Sequence, residues 1–174
     1  INISGYLKVD GLVWIKDKQK QRLADEPYPS QEEKPYKGWI GVDPLTGDIL
    51  VITKADSGEP SVIYRARATE RSPDTTTDLA KVGTFDLEPG TFVTAADIDS
   101  TGAVIAFRGY NEVWMWDRID VDFAETFAAR PCRTPSTAEI QGEALSFVAT
   151  GFGYYTVSEG SNPDINYVAS NLDP

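Results

Sequence analysis

The chain has 174 residues, 41% of them apolar and 25% charged, and carries a net charge of −11. That is enough for one globular domain with a sizeable core, and it argues against nucleic acid, which calls for clustered lysine and arginine. No apolar run reaches the about 18 residues a membrane span needs, and the complete absence of histidine excludes serine–histidine and cysteine–histidine catalysis within the chain.

From the start, the chain opens on Ile1 rather than methionine, which suggests processing. Asn2-Ile3-Ser4 is a glycosylation acceptor if the protein passes through a eukaryotic secretory route. A secreted, extracellular protein is the economical expectation from the two together. Two strand-like runs, INISGYLKV and GLVWI, are split by Asp10-Gly11, a strong local hairpin signal. Lys18 to Lys37 is polar and proline-bearing, with no sustained period, and predicts a long loop. Residues 1–37 are therefore expected to form a strand pair and loop belonging to a preceding unit.

Three copies of one plan follow, Gly38–Arg67, Thr94–Arg118 and Glu143–Ser170. Each has an apolar strand, a tight Gly-containing turn, a strand rich in β-branched and aromatic residues, a polar loop and a third strand. A repeat of roughly 50 residues marks a radial or solenoid array. The turns Asp43–Asp48 and Asp99–Gly102 supply the aspartate and glycine that tight turns use. Second strands are expected at Ile49–Thr53, Ala103–Phe107 and Tyr154–Ser158, and third strands at Ser61–Arg65, Glu112–Trp116 and Ile165–Ala169. Arg67–Thr77, rich in Ser, Thr, Pro and Asp, predicts an exposed loop. Ala80–Leu87 alternates apolar and polar and suits an outer fourth strand. Residues 120–129 have helical spacing and predict a short helix in place of an outer strand.

Four antiparallel strands per repeat with short connections predict an all-β fold, a β-propeller with about three four-stranded blades. The expected units are 38–92, 93–140 and 141–174, the last a blade that another segment can close. Three blades do not close a ring, which takes about four to eight, and they leave sheet edges open. The array is therefore expected to be completed by a complementary N-terminal propeller chain or by homo-oligomerisation. Cys132, the single cysteine, is either a buried small hydrophobe or half of an interchain disulfide.

Aligned on Val42, Ile98 and Phe147, the copies are expected to bring Lys54, Arg108 and Glu159 to one position at the end of the second strand. With Asp97 and Glu143 they suggest a polar constellation near a central channel, either a site for a small polar ligand or a salt-bridge network between repeats. Calcium is the metal the composition permits, because it takes oxygen ligands and needs neither histidine nor cysteine. Asp97 and Glu143 are its candidate ligands and the only pair to name for general acid–base work. Asp43 and Asp48 flank a turn and are assigned to turn formation. Trp114 and Trp116 lie two apart and share a strand face, which suits packing. Tyr110, Tyr154 and Tyr155 add aromatic surface that can pack or stack on a ligand.

From Trp39 onward the segments VDPLTGDILVITK, VIYRA, VTAADIDSTGAVIAFRGY, WMWD and QGEALSF…YYTVSEG resemble a family of mostly secreted β-propeller proteins, distantly like phytase-type and esterase-like propellers. The family has no established common activity. The resemblance implies an acidic pair before the first strand of a blade. Tyr36 and Gly38 stand there, followed by Trp39 in place of a small residue, which makes Trp39 a candidate contact. Glu143 keeps the glutamate in the last repeat, whereas the middle repeat has Thr94 with Asp97 three positions on. A site drawing carboxylates from successive blades would lack part of its set. The resulting expectation is a non-catalytic ligand-binding or interaction protein, with a calcium-dependent phytase-like or lactonase-like hydrolase as the alternative.

Overall fold

The computed structural model describes residues 6–9, 12–15, 38–54, 60–72, 76–85, 92–119, 122–149 and 153–169. The fold is all-β, as expected. Its strands are β1 (Tyr6–Val9), β2 (Leu12–Ile15), β3 (Gly38–Val42), β4 (Ile49–Thr53), β5 (Ser61–Ala66), β6 (Thr76–Asp78) and β7 (Ala80–Phe85), followed by β8 (Ala95–Ile98), β9 (Val104–Arg108) and β10 (Val113–Asp117). The series ends with β11 (Cys132–Thr134), β12 (Gly142–Phe147), β13 (Gly153–Ser158) and β14 (Ile165–Ala169), and one helix, α1 (Ala124–Ala128), precedes β11. No helix among the described residues is long and apolar enough to cross a membrane.

Each repeat becomes its own antiparallel sheet. The first has the order β3-β4-β5-β7, the second β11-β10-β9-β8, and the third β12-β13-β14. The hairpin joining the first two strands has one register in all three, with Val42 opposite Ile49, Ile98 opposite Ile105 and Phe147 opposite Tyr154. The turns repeat too. Asp43 accepts from the Leu45 N–H (3.0 Å) and the Thr46 hydroxyl (2.6 Å). Asp99 accepts from the Thr101 and Val104 N–H groups at 3.1 and 2.7 Å. Gly47 and Gly102 close these turns at φ of 73° and 74°, where a side chain is disfavoured.

The sheets bury their faces on one another in sequence. Leu50, Ile52 and Ile63 of the first sheet share a core with Ile105, Phe107, Trp114 and Trp116 of the second. Phe107 lies 4.8 Å from the Trp116 ring and 5.2 Å from that of Phe127 on α1, and α1 lies against β7 and β10. The opposite face of the second sheet, with Ala106 and Val113, packs on Leu145 and Tyr154 of the third. Because β4 is covered on both sides, its run ILVI is buried throughout. The first strands lie side by side, β8 against both β3 and β12.

Three expectations are corrected. The second sheet keeps an outer strand, β11, paired with β10; the helix occupies only Ala124–Ala128 and precedes that strand rather than replacing it. The segment Arg67–Thr77 holds a 3-10 turn at Ala68–Glu70 and the start of β6, which pairs parallel with β1. Among the described residues the third repeat has three strands instead of four. The outer strand of the first repeat ends at Phe85 and pairs with β5. β1 and β2 pair antiparallel with Val9 opposite Leu12, as the Asp10-Gly11 step suggested. The loop expected over residues 18–37 and the acceptor Asn2 lie outside the described residues.

Candidate functional site

The common hairpin register decides which side chains are equivalent. Counting five residues on from Ile49, Ile105 and Tyr154 reaches Lys54, Tyr110 and Glu159. Arg108 lies two residues earlier, at the level of Ile52, whose side chain is core. The expected trio of Lys54, Arg108 and Glu159 is therefore not one ring of charges, and the structure sends its three members to different places.

Arg108 is fully buried. Its Nη2 donates to Glu139 at 2.8 Å and its Nη1 to the Ala144 carbonyl at 3.1 Å. Glu139 also accepts from the Thr156 hydroxyl (2.6 Å) and the Asn166 amide (2.9 Å). One carboxylate thus ties β9, β13 and β14 together. Gly142 makes room, since a Cβ there would fall 1.8 Å from Arg108 Nη2. Arg108 is a clasp between the second and third sheets and has no face toward solvent. Glu139 was not singled out from sequence. The signal for it was present, because an arginine at a core register position needs a buried counter-charge.

Lys54 reaches the other way. Its ammonium donates to the Tyr110 hydroxyl at 2.9 Å and lies 3.4 Å from Glu143 Oε1. It also sits 4.8 Å from the Tyr110 ring centroid, within cation–π range, and Phe92 packs edge-on against that ring. Each sheet supplies one member: Lys54 follows β4, Tyr110 follows β9, and Glu143 is the bulged residue of β12. The Lys54 and Glu143 side chains keep 23% and 30% of their exposure, so a ligand can reach both. Burial works to lower the pKa of Lys54, but the Tyr110 hydroxyl and the Glu143 carboxylate outweigh it and hold the ammonium above its ordinary value. The cluster offers a fixed cation, an adjacent carboxylate and a phenol.

Asp97 does not join it. Its Oδ2 accepts the Phe147 N–H at 2.8 Å and its Oδ1 the Ile98 N–H at 2.9 Å, binding β8 to β12. Burial raises its pKa, against the pull of those N–H groups and the Ser146 hydroxyl. Glu143 lies at the other end of β12, beside Gly142, whose carbonyl accepts from the Thr94 hydroxyl at 2.7 Å. The named pair of carboxylates is thus held at opposite ends of the first strands. Among the described residues no group of three or more Cys, Asp or Glu is placed to hold a metal ion.

Glu159 is exposed, its N–H bonded to the Gln141 carbonyl at 2.7 Å. Trp39 lies half-buried against the main core and covers Gly41, where a Cβ would meet its indole at 1.8 Å; it packs. Trp114 and Trp116 are buried on one face, as their spacing suggested. Tyr154 is buried with its hydroxyl on Thr134, and Tyr155 is exposed. Cys132 is an exposed free thiol on β11. Asp43 forms its turn, as assigned, and also takes a bidentate pair from Arg118 at 2.8 Å on each oxygen. Asp48 accepts the Ala68 N–H at 2.8 Å. No protein-family model matches the chain, and no curated protein matches it.

Proposed function

We propose that this chain is an arc of β-propeller blades that binds a small polar ligand without catalysis, in an array completed by a partner chain. One observation carries the reading: Lys54, Tyr110 and Glu143, one from each successive sheet, converge where the first strands lie side by side. In a radial array the first strands line the axis, and side chains meeting there form the mouth of a channel. The partly exposed Lys54 side chain suits a carboxylate or hydroxyl on the ligand, and Phe92 and Tyr110 supply an aromatic flank. Binding without chemistry fits a site that lacks histidine and holds its lysine protonated, because a general base must be able to lose its proton near the working pH.

The test is a titration of isotope-labelled protein with succinate, glucose and calcium chloride, followed by NMR. Saturable shifts at Lys54, Tyr110 and Glu143 with succinate or glucose, abolished in Lys54→Met, are the expected result. Silence of all three residues with both organic probes overturns the site. Saturable calcium shifts at Glu143 would favour the calcium-dependent hydrolase reading instead.

A further inference from the structure

Lys54 and Glu143 stand side by side with part of each left unspent. An ammonium has three protons to donate, and that of Lys54 has two partners, the Tyr110 hydroxyl at 2.9 Å and Glu143 Oε1 at 3.4 Å. The second contact is long for a charge-assisted bond, which closes to about 2.7–2.9 Å. Among the described residues Glu143 accepts from no other donor, so its Oε2 has capacity to spare. The neighbouring Thr94 hydroxyl is already committed to the Gly142 and Arg108 carbonyls. Glu143 is the extra residue of a bulge between Gly142 and Ala144. A bulge re-aims a side chain out of the alternation of its strand, and this one sets a carboxylate beside the lysine of another sheet. Phe92 and Tyr110 flank the pair, both partly exposed, with their rings 6.2 Å apart.

We infer, building on the binding role proposed for this cluster, that its ligand is a free α-amino acid. The ligand carboxylate takes the remaining Lys54 proton, its ammonium pairs with Glu143 Oε2, and an apolar side chain lies against Phe92 and Tyr110. Backbone dimensions put an amino nitrogen about 2.5 Å from the carboxyl carbon of the same residue. The two charges are therefore neighbours in the ligand, as Lys54 and Glu143 are in the protein, and the two pairs close head to tail. Charge decides against simpler ligands. A carboxylate without an ammonium meets Lys54 but sets a second anion beside Glu143. An amine without a carboxylate sets a second cation beside Lys54. Like charges brought together are how a site rejects the wrong partner. The Lys54 and Glu143 side chains keep 23% and 30% of their exposure, and so exposed a pair is weakly held, which lets it open toward a ligand at little cost.

The test follows the labelled whole chain by NMR during titration with three molecules of one skeleton. These are L-phenylalanine, phenylpropanoate, which lacks the ammonium, and phenethylamine, which lacks the carboxylate. Phenylalanine should give saturable shifts at Lys54, Tyr110 and Glu143 and bind at least about tenfold more tightly than either analogue or succinate. In Glu143→Gln the preference over phenylpropanoate should vanish, and in Lys54→Met the preference over phenethylamine, with matched circular dichroism showing that both variants fold. Native-chain affinities for the three molecules within about twofold of one another overturn the inference, as do preferences that survive in both variants. Saturable shifts with succinate or glucose at the same residues would then leave the binding site itself standing, whereas silence with every probe removes both.

Discussion

Arg108 and Lys54 show how two cations close in sequence register come to opposite fates. Arg108 is fully enclosed and Glu139 nearly so, and breaking such a pair strands a charge where water cannot reach it. Arg108→Met should therefore cost about 3–5 kcal/mol in denaturant unfolding. The double variant Arg108→Met/Glu139→Leu should lose less than the sum of the singles, because it removes both charges at once. Equal additivity would show that the two side chains do not act as a pair. Gly142→Ala should be destabilising as well, since its new methyl overlaps the guanidinium. Lys54 supports a different expectation. Its folded-state pKa is raised, so its contribution to stability is complete below the ordinary lysine value of 10.5 and is lost as the pH climbs through the higher folded value. The midpoint of thermal unfolding should then fall more steeply above that pH in the native chain than in Lys54→Met. Parallel curves would dissociate Lys54 from Tyr110 and Glu143.

At the scale of elements, strands were legible wherever one side chain type alternated or a β-branched run was bounded by turn residues. Ile49–Thr53 and Ile165–Ala169 form with the expected limits, and the Asp-to-Gly turns behave as their chemistry requires. Gly47→Ala tests that chemistry: at φ of 73° the added methyl should cost about 1–2 kcal/mol, read as a lower unfolding midpoint with the fold retained. A neutral substitution would mean that the turn relaxes to another type. What stayed hidden was long-range. β6 is short and polar (TTD), and only its parallel pairing with β1 makes it a strand, so no local period announces it. The charged trio fails for a plainer reason: counted without gaps from Val42, Ile98 and Phe147, which pair with Ile49, Ile105 and Tyr154, the equivalent positions are Lys54, Tyr110 and Glu159, and Arg108 lies two residues short of them. The cluster of Lys54, Tyr110 and Glu143 brings together residues whose nearest neighbours in sequence are 33 positions apart, as Tyr110 and Glu143 are; each was named as a candidate, but their meeting depends on how the sheets stack.

Across the whole molecule, buried ion pairs recur where one sheet meets the next. Asp43 with Arg118 joins the first sheet to the second, and Arg108 with Glu139 joins the second to the third. In an array whose units touch only their neighbours, such contacts carry the cooperativity of unfolding. The Asp43 pair also sets how the array meets acid. Burial works to raise the Asp43 pKa, but hydrogen bonds from Arg118, Thr46 and the Leu45 N–H outweigh it and bring the net value below the ordinary 3.8. A carboxylate whose folded pKa is depressed stabilises the fold above its unfolded value and ceases to do so as the pH falls through the folded one. Stability should thus drop as the pH is lowered below 3.8. Asp43→Asn should begin less stable at neutral pH, by about 3–5 kcal/mol for a broken buried pair, and should lose less on acidification because the titrating group is gone. Denaturant unfolding of both chains from neutral pH into the acid range measures the difference directly. If the native chain and Asp43→Asn decline in parallel, the acid sensitivity of the array lies in its other carboxylates, and the Asp43–Arg118 contact joins the sheets without governing their response to pH.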